Sequence, residues 1–194
     1  MSHATVNRRI VWQRLDVPGH EWAEFVELDS GTRLAGVAVG ALDGAPYRVE
    51  YEITLDDGGA SRAVRVGSWS PVERDLRLTA DGQGRWYLDG SPAPVVHTVG
   101  EPPALDVDLG FSPVTNTLPI RRLAADLSPG ERREIRVAWV LFPSLEVVEA
   151  RQTYTRLGDS RWRYASTGFE AELEVDEDGL VERYENLWTA IARA

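Results

Sequence analysis

The sequence predicts an all-β protein with minor α content, built as one large antiparallel sheet that is rolled or folded over and carries one or two short helices. Apolar and polar residues alternate in short runs along most of the chain, which is the period of β-strands. Gly- and Pro-containing turns interrupt these runs about every ten residues, a spacing typical of antiparallel sheets. At 194 residues, the chain favours a single domain, 1–194, with a substantial core.

The clearest strand follows Pro46. Alternate apolar residues from Tyr47 to Leu55 share one face, whereas Glu50 and Glu52 lie on the other. We expect Tyr51 and Trp139 to belong to the core. The same reasoning predicts strands over residues 10–15, 22–28, 33–42, 47–55, 63–69, 75–79, 85–88, 95–98, 105–109, 133–142, 145–157, 161–166 and 169–176. Gly36 lies within one of them and indicates a bend or a close approach of another group to the backbone.

The segment 104–123, ALDVDLGFSPVTNTLPIRRL, interrupts this regular series. Its first part alternates strictly, so a strand over 105–109 would place the apolar residues on one face and both Asp106 and Asp108 on the other. These two Cα atoms would lie about 6.6 Å apart. Gly110 and Pro113 then end the strand. The spacing predicts a strand followed by a tight loop.

A short helix is predicted after this loop. Thr115, Asn116 and Thr117 are residue types that cap helices, and Pro119 suits a first helical turn because its missing N–H is not needed there. Two arginines, Arg121 and Arg122, follow. Carboxylates, hydrogen-bonding side chains and guanidinium groups therefore fall within one short span of sequence.

The C-terminal region allows two interpretations. Apolar residues from Leu180 to Ile191 fall at helical spacing. We favour a strand over 180–184 and a helical or irregular end after it. Residues 174–185 also approach the pattern of a calcium-binding loop, but Glu174 replaces the expected aspartate and a strand precedes it, so a hairpin turn is the better interpretation.

Composition narrows the possible functions. The net charge of −10 argues against a nucleic-acid interface or an anionic membrane surface. There is no cysteine, which excludes disulfides and thiolate chemistry. No apolar run reaches the length of a signal peptide core or a membrane span, so we expect no stable membrane insertion and a cytoplasmic location. No cofactor or metal motif is present, and the oligomeric state is left open.

The segment DVDLGFSPVTNTLPIRRL resembles the central motif of the bacterial domain family named "putative glycolipid-binding". Weaker matching pieces include RLAGVAVG, YRVEYEI, QTYTRL and GFEAELEVDEDGLV, and these cover nearly the whole chain. The family's likeness to lipoprotein carriers implies a curved half-barrel. It also implies a lipid or glycolipid ligand held in an apolar groove of the sheet, with its polar head near residues 106–122.

This resemblance leads to a set of candidate ligand-binding residues, with no catalytic residue assigned. They are Asp106, Asp108, Thr115, Asn116, Arg121, Arg122 and Trp86. Trp86 is expected at the rim of the site because it lies close to a turn. The helix N-terminus and the guanidinium groups would suit a phosphate or a sugar head group.

Two other interpretations remain open from the sequence. Asp106 and Asp108 could serve as an acid–base pair in a carbohydrate-directed enzyme. Alternatively, the two aspartates could bind Arg121, Arg122 or backbone N–H groups, and the threonines and Asn116 could simply cap the helix. In that case the protein would be a structural module whose interior is filled and holds no ligand.

Overall fold

The computed structural model describes residues 6–69, 73–93 and 101–194. In these ranges the alternating runs form strands at the positions that the sequence predicts, from residue 10 to residue 184. Residues 95–98, for which a strand was expected, lie outside the described residues. The strands are β1 Val6–Arg14, β2 Gly19–Leu28, β3 Gly31–Leu42, β4 Ala45–Leu55, β5 Ser61–Trp69, β6 Glu73–Ala80, β7 Trp86–Leu88, β8 Ser91–Pro92, β9 Asp106–Leu109, β10 Arg132–Val140, β11 Val147–Arg156, β12 Arg161–Ser166, β13 Phe169–Val175, β14 Val181–Tyr184 and β15 Trp188–Arg193.

Across the described ranges, these fifteen strands form one sheet in the order β8-β7-β6-β5-β4-β3-β2-β1-β15-β14-β13-β12-β11-β10-β9. Neighbouring strands are antiparallel, except that β9 runs parallel to β10. Strands β8 and β9 stand at opposite ends of this order and do not pair with one another, so the described sheet is open. The predicted fold class, a large and mainly antiparallel sheet with little helix, is confirmed.

The sheet curves until β9, at one end of the strand order, approaches β5, the fourth strand from the other end. The backbone N–H of Ser61, at the start of β5, donates to the carbonyl oxygen of Leu105 at 2.8 Å. The Ser61 hydroxyl in turn accepts from the N–H of Val107 on β9 at 3.2 Å. These bonds hold the β9 end of the sheet against β5, and the concave side becomes the interior of the molecule.

The chain after β9 fills that interior. A 3₁₀ turn, Val114–Asn116, leads directly into the helix α1, Thr117–Ala124. Apolar side chains of this segment are buried together with residues of both halves of the sheet. They are Phe111, Val114, Leu118, Ile120 and Leu123. Because burying each such side chain contributes about 1.5–3 kcal/mol, the segment is a principal part of the core.

Two glycines of β3 make room for tyrosine rings. Gly36 lies opposite Tyr51 and Gly40 lies opposite Tyr47 in the β3–β4 pair. A Cβ atom added at Gly36 would come within 2.3 Å of the Tyr51 hydroxyl oxygen, so the ring lies directly over the glycine. This arrangement confirms the expected close approach at Gly36, and the tyrosine covers the backbone that the glycine leaves bare.

The hairpin predicted before residue 180 is confirmed, because the Asp176 Oδ1 atom accepts from the N–H groups of Asp178 and Leu180 in the turn between β13 and β14. The expected strand over 180–184 is also confirmed. A helical or irregular end is wrong, because Trp188–Arg193 forms β15. This strand pairs with β1 on one side and β14 on the other, and that long-range pairing outweighs the helical spacing. None of the helices in the described residues has the length and apolar character to cross a membrane.

Candidate functional site

The two aspartates of β9 have different environments. Asp106 is 1% exposed, and Arg122 of α1 donates to both of its carboxylate oxygens, at 2.8 and 2.5 Å. Such a two-point ion pair satisfies the buried charge and attaches the helix to the strand. The expected contact between these aspartates and the arginines is thus present for Asp106, which is not open to a ligand.

Among the described residues, the hydrogen-bond donors to Asp108 are neutral. Its Oδ1 accepts from the Thr115 hydroxyl at 3.2 Å, and its Oδ2 accepts from the side-chain amide of Gln152 at 2.5 Å. Burial raises the pKa of Asp108 to about 6, an effect to which the neighbouring Asp106 charge adds and which the two hydrogen bonds oppose. Its carboxyl group therefore changes charge close to neutral pH.

Thr115 and Asn116 do not cap the helix with their side chains. The Thr115 hydroxyl accepts from the N–H of Leu109 at 3.2 Å, and the Asn116 Oδ1 accepts from the Tyr154 hydroxyl at 2.9 Å. The expectation of side-chain capping is wrong, because the 3₁₀ turn runs straight into α1 and both side chains instead connect the loop to the sheet. They hold the loop beside Asp108.

A pocket of about 250 Å³ opens at Asp108. Five aromatic rings and several polar groups line it: Trp139, Tyr164, Phe169, Tyr184 and Trp188, with Asp108, Ser112, Asn116, Ser166 and Thr167. Trp139 and Phe169 are 37% and 39% exposed, so they form part of the rim. The expectation that Trp139 belongs to the core is wrong, whereas the expectation for Tyr51 is confirmed.

Three of the rings form one wall of this pocket. The centroid of Tyr164 lies 6.0 Å from that of Phe169 and 6.1 Å from that of Tyr184, and the last two are 6.2 Å apart. A second cavity of about 400 Å³ adjoins the pocket, and the two share Trp139, Tyr164, Ser166 and Thr167. The open site is therefore a small aromatic pocket that continues into a wider surface notch.

The remaining candidate residues lie elsewhere. Arg121 donates to a carboxylate oxygen of Glu27 at 2.7 Å and stacks on the Phe25 ring at 4.5 Å. Neither Arg121 nor Arg122 lines the pocket at Asp108. The structure therefore does not bring the arginines together with Thr115 and Asn116 into one anion site, because the arginines stand in the last turn of α1 and the other two precede its first turn.

The expected rim position of Trp86 is wrong. Trp86 is 2% exposed, and its indole N–H donates to the carbonyl oxygen of Ala104 at 3.0 Å. A turn nearby in sequence does not expose the ring, because residues 103–104 fold back over this part of the chain. Trp86 is a core residue that attaches the end of the sheet to the strand entering β9.

A second buried carboxylate, Glu21 of β2, lies behind the loop. Its Oε1 accepts from the hydroxyl groups of Tyr51 at 2.6 Å and Ser112 at 2.5 Å. Burial raises the pKa of Glu21 to about 8, while these two hydrogen bonds and the Arg14 charge oppose the rise. Ser112 also lines the pocket, so the loop separates the pocket from this sealed carboxyl group.

The chain matches the protein family described as "Putative glycolipid-binding" over residues 9–190. It belongs to this family. A crystal structure of a DUF1089 family protein from Pseudomonas aeruginosa is similar to it, with 35% sequence identity and a TM-score of 0.74. The similarity covers 88% of this chain and 92% of the other. No curated protein matches the sequence.

Several pocket residues were not among the candidates from the sequence. Two residues that hold pocket groups were also missed: Gln152 donates to Asp108 and Tyr154 donates to Asn116, and the strand period places both on one face of β11. Tyr164, Phe169 and Tyr184 come from three further strands. Only the pairing of those strands brings the three rings next to Asp108, and no local signal in the sequence contains that information.

Proposed function

We propose that the protein binds the sugar head group of a glycolipid in the pocket at Asp108. The observation that carries this proposal is the combination of aromatic rings with a carboxylate, an amide and hydroxyl groups around one cavity. Sugar rings present apolar C–H faces together with a rim of hydroxyl groups. Aromatic faces suit the former, and carboxylate or amide groups suit the latter.

The size of the pocket supports a head group and not a whole glycolipid. Its volume of about 250 Å³ lies below the range of about 300–1,000 Å³ typical of sites that enclose a drug-sized ligand. The interior of the sheet, where an apolar groove was expected, is filled by Phe111, Leu118 and other side chains of the central segment. In this proposal the lipid chains therefore lie outside, near the exposed rings of Trp139 and Phe169.

Trp139 provides the test, because it lies at the boundary between the pocket and the adjoining notch. The binding of single-chain alkyl glycosides with different sugar heads would be measured by native mass spectrometry and by tryptophan fluorescence. We expect Trp139→Ala to weaken binding by about twofold to tenfold, since loss of one stacked aromatic ring costs about 0.5–1.5 kcal/mol.

Trp22→Ala is the matched control. Trp22 has the same exposed fraction as Trp139, 37%, but does not line the pocket. This variant should bind as the wild type does. Equal losses in the two variants, or no binding of any alkyl glycoside by the wild type, would overturn the proposal. In the latter case the filled interior would favour a structural module without a ligand.

A carbohydrate-directed enzyme based on the pair Asp106 and Asp108 has less support. Two-carboxylate mechanisms require both groups at the substrate, and Asp106 is sealed in its ion pair with Arg122. Asp108 alone reaches the pocket. Binding is therefore the function that this geometry supports best.

A further inference from the structure

The pocket at Asp108 is lined by a carboxylate that has no cation beside it in the described lining. In the part of the chain that the structure describes, the residues lining the pocket include one carboxylate, Asp108, and no arginine, lysine or histidine. The adjoining notch adds Glu149 and Arg151, and Arg151 is already paired with Glu101 and Glu134. The bonds that Asp108 accepts come from Thr115 and Gln152, which carry no charge. A carboxylate that is removed from bulk water without a cation is costly, and a bound ligand could supply the missing charge.

The walls of the pocket suit a cation as well. Five aromatic side chains line a volume of about 250 Å³, and the negative faces of such rings attract ammonium groups. One of these rings already binds a cation, because the Arg14 guanidinium lies 5.4 Å from the centroid of Trp188. Arg14 itself is held by the carboxylate of Asp16 at 2.7 Å.

We infer that the head group bound at Asp108 carries a positive charge, as the amine of an amino sugar does. The ammonium group would pair with the Asp108 carboxylate and lie against the aromatic wall of Tyr164, Phe169 and Tyr184. This inference rests on the proposed function and names the class of sugar within it. A neutral sugar would leave the Asp108 charge without a partner, so the pocket selects against neutral heads.

The other titratable groups near Asp108 are consistent with this role. Asp106, on the same strand, is bound by Arg122. Burial raises the pKa of Tyr154 well above its ordinary value, and it also raises the pKa of Tyr164 and Tyr184. These three hydroxyl groups therefore stay neutral across the physiological range, and Asp108 is the group that determines the charge of the pocket.

The test compares two probes that differ in one group: octyl glucoside and the octyl glycoside of glucosamine, both below their micelle concentrations. Titration calorimetry at pH 7 should show the amine binding about tenfold more tightly, as expected for one ion pair in a partly buried site. In Asp108→Asn the two probes should bind with similar affinity. Asp159→Asn, which removes the same charge at a fully exposed side chain, should keep the preference.

A second measurement does not depend on a variant. At pH 5, below the pKa of Asp108, the wild type should lose most of its preference for the amine, although the amine itself stays charged. The inference is overturned if both probes bind equally at pH 7, or if the preference survives at pH 5 or in Asp108→Asn. Equal binding would leave the proposed function intact, whereas binding of neither probe would remove both.

Discussion

Asp106 and Asp108 stand two residues apart on β9 and share a face of the strand, but the structure gives them opposite environments. Asp106 is sealed and bound at both oxygens by Arg122. Asp108 accepts bonds from neutral groups and lines a pocket. The difference shows how one local motif can supply a structural residue and a ligand-binding candidate side by side. The two aspartates differ because Arg122 binds the first, whereas Thr115 and Gln152 bind the second.

Glu21 extends the comparison to a third case. It is buried as completely as Asp106, yet its hydrogen bonds come from the neutral hydroxyl groups of Tyr51 and Ser112. The pKa of Glu21 is raised to about 8 and that of Asp108 to about 6, whereas a guanidinium group holds Asp106. Removing the cation from a buried ion pair is costly, and burial without a cation raises the pKa of the carboxyl group.

The largest expected effect comes from breaking the sealed ion pair. Arg122→Ala leaves the Asp106 carboxylate buried without its cation, so the free energy of unfolding should fall by about 3–5 kcal/mol. Urea denaturation followed by tryptophan fluorescence would measure the change. Arg121→Ala is the neighbouring control, and we expect it to cost about 1 kcal/mol because the Arg121–Glu27 pair is partly exposed. Similar losses of stability in both variants would contradict the expected difference between the buried Arg122–Asp106 pair and the partly exposed Arg121–Glu27 pair.

The next effect concerns Glu21 and pH. Because the pKa of Glu21 is higher in the folded protein, about 8, than its ordinary value of about 4.3, its contribution is fully present below pH 4 and is lost as pH rises to about 8. Between pH 6 and pH 8 this loss should be on the order of 2 kcal/mol. Urea denaturation at several pH values should show a smaller decline in Glu21→Gln, and parallel curves for the two proteins would show that Glu21 does not hold its proton.

The contribution of Asp108 to stability should also fall as pH rises, but over a lower pH range. Its pKa of about 6 is also raised above the ordinary value of about 3.9, so its contribution is lost between about pH 4 and pH 6. A shift of this size is worth at most about 3 kcal/mol. Because Asp108 reaches the open pocket and is screened by solvent there, we expect Asp108→Asn without ligand to raise the free energy of unfolding by only about 1 kcal/mol above pH 6, and the gain should disappear near pH 4. Asp159→Asn should show no such change, and a destabilised Asp108→Asn at pH 7 would argue that the carboxylate is needed for folding.

The smallest effect on stability is expected at the rim of the pocket. Trp139→Ala removes a ring that is 37% exposed, so it should lower the free energy of unfolding by only about 1 kcal/mol. Trp86→Ala removes a buried ring together with its hydrogen bond to Ala104, and it should cost about 3–5 kcal/mol. Thermal unfolding by circular dichroism would compare them. A large loss in Trp139→Ala would mean that this ring holds the sheet together.

Much of the fold could be predicted because its signals are local. Alternation from Tyr47 to Leu55 and the turns between runs determine where strands begin and end. The region after Tyr184 was predicted incorrectly because a strand there depends on pairing with β1, almost the whole chain away. Helical spacing in a short segment is a weak signal beside two neighbouring strands that supply backbone hydrogen bonds.

The candidate site was predictable in part. Asp108 and Asn116 do line the pocket, whereas Trp86, Arg121 and Arg122 do not. The rings that complete the pocket were missed because they come from distant strands, and Trp139 was placed in the core because its strand is apolar on both faces. The alternation of side chains assigns residues to the two faces of a strand, but it does not show which face is buried by the rest of the protein.

By itself, the sequence determined the all-β class, the strand positions and the order of strand, loop and helix in the central segment, because these follow from periodicity and from the chemistry of single residues. The tertiary structure alone decided which aspartate is sealed and which faces the pocket. That choice depends on Arg122, Gln152 and the aromatic rings of β12 to β14 reaching β9. Such contacts join residues that are far apart in the chain, and no local pattern encodes them.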